Sequence, residues 1–83
     1  MKYDAKIEVS LKPGHSNPEG ETTARLLVEL GYSVSAVDVS KVYTVSIDAP
    51  SFNDAKVKAE EMSKRLLANP TKDNYAISVV ERQ

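Results

Sequence analysis

Tyr3-Asp4-Ala5-Lys6-Ile7-Glu8-Val9-Ser10-Leu11 is the stretch that decides the fold. Tyr3, Ala5, Ile7, Val9 and Leu11 fall on one side, and Asp4, Lys6, Glu8 and Ser10 on the other. A period of two with one apolar side is a β-strand that buries a single face. Whatever follows has to cover that face. Lys12-Pro13-Gly14-His15-Ser16-Asn17 interrupts the alternation and reads as a loop, since Pro and Gly both break a strand.

Asn17 is suited to cap a helix, Pro18 to occupy its first position, and Glu19 and Glu21 to complement the positive end of its dipole. The helix is expected to run to about Leu30, with Thr23, Leu26, Leu27 and Leu30 as its inward stripe and Gly31 just past its end. A second strand is expected within Tyr32 to Val39, where Val37 and Val39 are in phase. Ser40-Lys41 then leads to a third strand, residues 42–49, with Tyr43, Val45, Ile47 and Ala49 on one side. So short a link predicts a hairpin, although it lacks the Asn-Gly or Asp-Gly turn signature.

Pro50 ends that strand. Ser51, with Asp54 three residues on, resembles a capping box. Ala55, Ala59, Met62 and Leu66 follow helical spacing, Lys64 and Arg65 sit in the last turn, and Asn69-Pro70 stops the helix. Tyr75, Ile77 and Val79 make the final strand, and Glu81-Arg82-Gln83 is expected to fray.

The order is β-α-β-β-α-β over one domain, residues 1–83. Residues 3–39 and 42–80 repeat the architecture strand, helix, strand without repeating the residues. The expected fold is α+β: a ferredoxin-like two-layer sandwich, with a four-stranded, mainly antiparallel sheet and both helices on one face. Tyr43 and Val80, with the edge backbone groups, are then available for pairing with another subunit.

Composition narrows the function. The chain has 83 residues, 41% of them hydrophobic. At 9.1 kDa, a folded domain exposes roughly 4,900 Å², against roughly 13,000 Å² for the unfolded chain. The core is thin, and such domains often gain stability by oligomerising. Eleven basic and twelve acidic residues leave a net charge of −1. That balance gives no footprint for nucleic acid or for an anionic membrane. No apolar run approaches a membrane span and no signal peptide is visible, so the expected compartment is the cytoplasm.

No catalytic constellation is apparent. There is no Cys, which removes a thiol nucleophile and a thiolate metal site. His15, the single histidine, has no compact carboxylate pattern around it and reads as a solvated loop residue rather than a base or metal ligand. Gly14 and Gly20 lack the spacing and the Lys-Ser/Thr of a phosphate-binding loop, so a capped helix entry accounts for them better. Glu60 and Glu61 diverge by about 100° on a helix and form no acid/base dyad, while Glu60 and Lys64 are spaced to pair. The alanines of the second helix suit close packing on its own sheet. The expected chain carries no active site and works through partner proteins.

The loops then become informative. Lys12-Pro13-Gly14, Pro18-Glu19-Gly20, Leu30-Gly31-Tyr32, Lys41, and Leu66-Leu67-Ala68-Asn69-Pro70 before Tyr75 resemble, in order and over nearly the whole chain, the PurS family. That family is the small subunit of phosphoribosylformylglycinamidine synthase, a glutamine-dependent carbon–nitrogen ligase of purine biosynthesis. Ser40 and Asp38 stand where the family typically has Gly and a basic residue, and Thr71-Lys72-Asp73-Asn74 replaces a usually apolar and acidic segment.

The resemblance implies a non-catalytic subunit that dimerises, or forms a tetramer, and bridges a glutaminase, PurQ, and a large ATP-dependent synthetase, PurL. It implies help with assembly and ammonia passage. ATP, Mg and glutamine are used by the whole complex, with no cofactor assigned to this chain. The candidate partner-interface residues are Lys12, Pro13, Gly14, Pro18, Gly20, Lys41, Asn69 and Pro70; catalytic and metal-binding residues are none. Two other readings compete. One is a stand-alone small-molecule-sensing module of ferredoxin-like shape that acts as a dimer. The other is an acylphosphatase-like enzyme, which wants an Arg where this chain has Lys12.

Overall fold

The structure, a computed structural model, describes residues 1–82. Three strands form one sheet: β1 (Lys2–Leu11), β2 (Lys41–Asp48) and β3 (Asp73–Glu81). Helix α1 (Pro18–Glu29) follows β1, and helix α2 (Phe52–Met62) follows β2. The strand order is β2-β1-β3, with β1 antiparallel to both neighbours. Ile7 lies between Tyr43 and Ile77, and Ala5 between Val45 and Val79. This register places Tyr3, Ala5, Ile7 and Val9 on one face with Tyr43, Val45 and Ile47 of β2 and Tyr75, Ile77 and Val79 of β3, so the alternation read along β1 holds for the sheet.

That face is roofed by α2. Ala55 and Ala59 are fully buried against it, with Tyr3, Ala5 and Ile7 beneath. Small residues let the helix approach the sheet closely. Tyr3 meets Phe52 edge to face, with ring centroids 6.3 Å apart. Ser51 caps α2 as expected, accepting a hydrogen bond from the Asp54 N–H at 3.2 Å.

The expected stripe changes at Met62. The helix continues as a π-helical turn, Ser63–Leu67, closed by the Ala68 N–H donating to the Ser63 carbonyl at 2.9 Å. The wider turn turns Leu66 out, 83% exposed, while Ser63 becomes buried and Leu67 half-buried. Ser63 satisfies its hydroxyl by donating to the Ala59 carbonyl at 2.8 Å.

The fourth strand does not form. Residues 32–40 carry no strand; among the described residues there is no hairpin, and the sheet has three strands rather than the four of a ferredoxin-like sandwich. The segment bonds to α1 instead of to β2. Asn17 Nδ2 donates to the Val39 carbonyl at 3.3 Å, and the Val37 carbonyl lies directly against Gly20. Ser40 Oγ donates to Glu8 Oε2 at 3.0 Å, fixing the point where the chain rejoins the sheet. With Ser33, Ser35 and Asp38 interspersed, only Val37 and Val39 supplied a strand signal, and helix packing overrides it.

The second correction concerns α1. Its ends behave as read: Asn17 Oδ1 accepts from the Gly20 N–H at 3.0 Å, and Gly31, at φ +99°, closes it. The Gly31 N–H donates to Val28 and the Tyr32 N–H to Leu27, the paired bonds of a Schellman cap. Yet α1 does not cover the sheet. Leu26 and Leu30 are exposed and Thr23 and Leu27 only half-buried, so the expected inward stripe is not inward. Helix α1 and the returning segment form an arm that extends beyond the sheet. A ten-residue strand spans about 34 Å and a 12-residue helix about 18 Å, placed end to end, which matches the 51 Å long axis. The radius of gyration is 16.3 Å, against about 12 Å for a compact chain of this length.

At the other terminus, Glu81 belongs to β3 and the Arg82 N–H donates to the Lys2 carbonyl at 2.8 Å, so neither frays. Gln83, also expected to fray, lies outside the described residues.

Candidate partner-binding surface

Two loops distant in sequence meet at the end of the sheet where β1 finishes and β3 begins. The Lys12 ammonium donates to the Pro70 carbonyl at 3.0 Å, and the Lys12 N–H donates to the Lys72 carbonyl at 2.7 Å. The first loop turns at Gly14, whose φ of +90° lies in the region that favours glycine. The second loop folds on itself. Asn69 Oδ1 accepts from Thr71, the Asn69 carbonyl accepts from Lys72 and Asp73, and Asp73 Oδ2 accepts from the Asn69 N–H at 2.9 Å. Both loops are therefore shaped before any partner arrives, which lowers the entropic cost of binding.

The candidate residues divide accordingly. Lys12, Pro13, Gly14, Asn69 and Pro70 come together on this platform. Lys41 opens β2 opposite Val9 and lines a cleft of about 240 Å³ with Asn17 and Lys72. A neighbouring cleft of about 430 Å³ runs from Lys12 and Gly14 to Asp38. Pro18 is exposed at the start of α1. Gly20 is different: it is buried, and a Cβ there would overlap the Val37 carbonyl. Its role lies inside the chain. Of the unusual loop positions, Ser40 bonds across to Glu8 of β1 and Asp73 accepts from Asn69 within its own loop.

His15 is exposed in the first loop, and its N–H donates to the Lys12 carbonyl at 3.3 Å. Among the described residues no group of three His, Cys, Asp or Glu side chains is placed to hold a metal ion. Glu60 and Lys64 do approach, at 3.9 Å, as an exposed pair of little energetic weight. No helix is long and apolar enough to cross a membrane among the described residues.

Sequence reasoning missed a second surface. Leu26, Leu30 and Tyr32 on the arm are 50%, 74% and 62% exposed, and Leu66 is more exposed still. Three of these were placed in the core by helical spacing. Spacing tells which residues share a face but not what that face meets.

The sequence model of the family PurS, phosphoribosylformylglycinamidine (FGAM) synthase, matches residues 4–81. The chain belongs to the PurS family. A PurS subunit of phosphoribosylformylglycinamidine synthase from Methanothermobacter thermautotrophicus is 36% identical over 83 residues, covering 100% of this chain and 99% of the relative. The crystal structure of Methanocaldococcus jannaschii PurS superimposes with a TM-score of 0.85 at 38% identity, covering 98% of this chain and 99% of that one. It is described as one of the subunits of formylglycinamide ribonucleotide amidotransferase in the purine biosynthetic pathway. A structure of PurLQS from Thermotoga maritima contains a chain of the same fold, with a TM-score of 0.87 at 23% identity over 96% of this chain and 99% of that one. The fold of this chain is thus shared, over nearly its whole length, with solved PurS chains. PurS is a small subunit of the synthase, acting in purine biosynthesis.

Proposed function

We propose that this chain is the non-catalytic small subunit of a glutamine-dependent phosphoribosylformylglycinamidine synthase, bridging the glutaminase PurQ and the synthetase PurL. It assists their assembly and the passage of ammonia between them. The observation that carries this reading is the loop platform, where the Lys12–Pro70 hydrogen bond joins two rigid loops into one exposed surface. The Thermotoga PurLQS structure, which contains a chain of this fold, supports the choice of partners. ATP, Mg and glutamine serve the whole complex, and none of them is assigned to this chain. It self-associates, as a dimer or tetramer, and works in the cytoplasm.

The physical division of labour is consistent. Without Cys, the chain cannot supply the thiolate that attacks glutamine in the glutaminase implied by the resemblance. A bridging subunit needs preformed surfaces, and the charged end of Lys12 sits on such a surface. The test is a pull-down with tagged chain and purified PurL and PurQ. Retention of both is expected. Failure to retain either, with the chain folded, overturns the bridging role.

A further inference from the structure

Strand β3 is an open edge of the sheet. It pairs with β1 along its whole length, from Asp73 opposite Leu11 to Glu81 opposite Tyr3, without a bulge. Two backbone bonds bracket this ladder and fix which groups it uses. The Lys12 N–H donates to the Lys72 carbonyl, and the Arg82 N–H to the Lys2 carbonyl. Hydrogen-bonded pairs alternate along an antiparallel ladder, so Asn74, Ala76, Ser78 and Val80 bond to β1. Tyr75, Ile77 and Val79 turn their N–H and C=O groups away from it. Among the described residues, none of those outward groups meets a partner.

An edge is normally blunted by Pro, by a bulge or by charged side chains along it. From Asn74 to Val80 this one has no charge, no Pro and no Gly. Such an edge is a template for another strand, held by main-chain hydrogen bonds.

The ends of β3 select the occupant. Asp73 and Glu81 close it at either end, with their side chains on the same face of the sheet. In the two-fold pairing that uses the whole edge, a second copy sets Asp73 against Glu81 at both ends, like charges directly opposite. Strand β2 of a second copy offers one basic end, Lys41, and one acidic end, Asp48. The matching strand is basic at both ends and uncharged between. The loop platform adjoins it, since Asp73 accepts from the Asn69 N–H, next to Pro70. A chain seated on the two loops therefore reaches the edge directly.

We propose that an extended segment of PurL adds to the sheet as an antiparallel strand along β3. It carries basic residues opposite Asp73 and Glu81, and apolar ones beside Tyr75, Ile77 and Val79. This rests on the reading of the chain as a subunit that binds PurL, and goes beyond it by naming the mode of contact.

Amide hydrogen exchange is read residue by residue, by mass spectrometry with electron-transfer fragmentation, on the chain alone and after mixing with purified PurL or PurQ. In the chain alone the amides of Ala76 and Ser78 are expected to be protected, and those of Tyr75, Ile77 and Val79 to exchange freely. PurL is expected to slow the latter three at least about tenfold. Glu81→Lys, at an exposed position, is expected to raise the dissociation constant for PurL at least about tenfold, with an unchanged circular dichroism spectrum. Retention by PurL without new protection, and with Glu81→Lys binding as tightly as the parent, overturns the strand pairing and spares the bridging role. No retention by PurL overturns both. Protection brought by PurQ alone, or already present in the self-associated chain, gives the edge to another occupant and overturns the proposal.

Discussion

The backbone of Gly20 lies so close to the carbonyl of Val37 that no side chain fits between them. This contact directs the return segment along α1 and makes the pair an arm. Gly20→Ala therefore has to push the two apart. Overpacking of this kind costs about 1–3 kcal/mol, and here the cost falls on the arm. Hydrogen exchange is the suitable probe: amides of residues 32–40 should exchange faster in the variant, while those of β1 keep their protection. Unchanged exchange in the arm contradicts the role given to the contact.

Lys12 and Pro70 are 58 residues apart and joined by one exposed hydrogen bond. Losing such a bond costs about 0.5–1.5 kcal/mol. Lys41→Ala, at an exposed strand end, should change stability by less than about 0.5 kcal/mol. Both Lys12→Ala and Lys41→Ala should weaken binding to PurL by more than they weaken folding. Urea melts and sedimentation with PurL, in one buffer, measure the two effects. Near-wild-type binding by both variants makes these lysines ordinary surface residues.

Ala55 and Ala59 are fully buried where α2 meets the sheet. Ala59→Leu inserts three carbons into that contact and should cost at least about 1–3 kcal/mol. The exposed Val57, on the same helix, should accept Val57→Leu within about 0.5 kcal/mol. Similar melting of the two variants contradicts the packing of α2.

Much of this was legible in the sequence. β1, β2, β3, both caps and Gly31 follow from local chemistry: alternation, a side-chain oxygen three residues before an N–H, a residue that tolerates positive φ. What was not legible depended on distant contacts. Residues 32–39 had an in-phase pair of valines but bonded to Asn17 and packed against Gly20 rather than pairing with β2. Leu66 fitted the helical stripe until the π-helical turn displaced it. Leu26 and Leu30 were rightly read as one apolar face, but the sequence does not say whether that face meets its own sheet. Of the candidate surface, Lys12 and Pro70 do converge, while Gly20 serves the fold.

The bridging role is tested most directly by reconstitution. Glutamine-dependent amidine formation is measured with purified PurL and PurQ while this chain is titrated in. The expected rate is near background without the chain and rises to a plateau at a fixed stoichiometry, with the chain alone turning over nothing. A full glutamine-dependent rate in its absence contradicts the account.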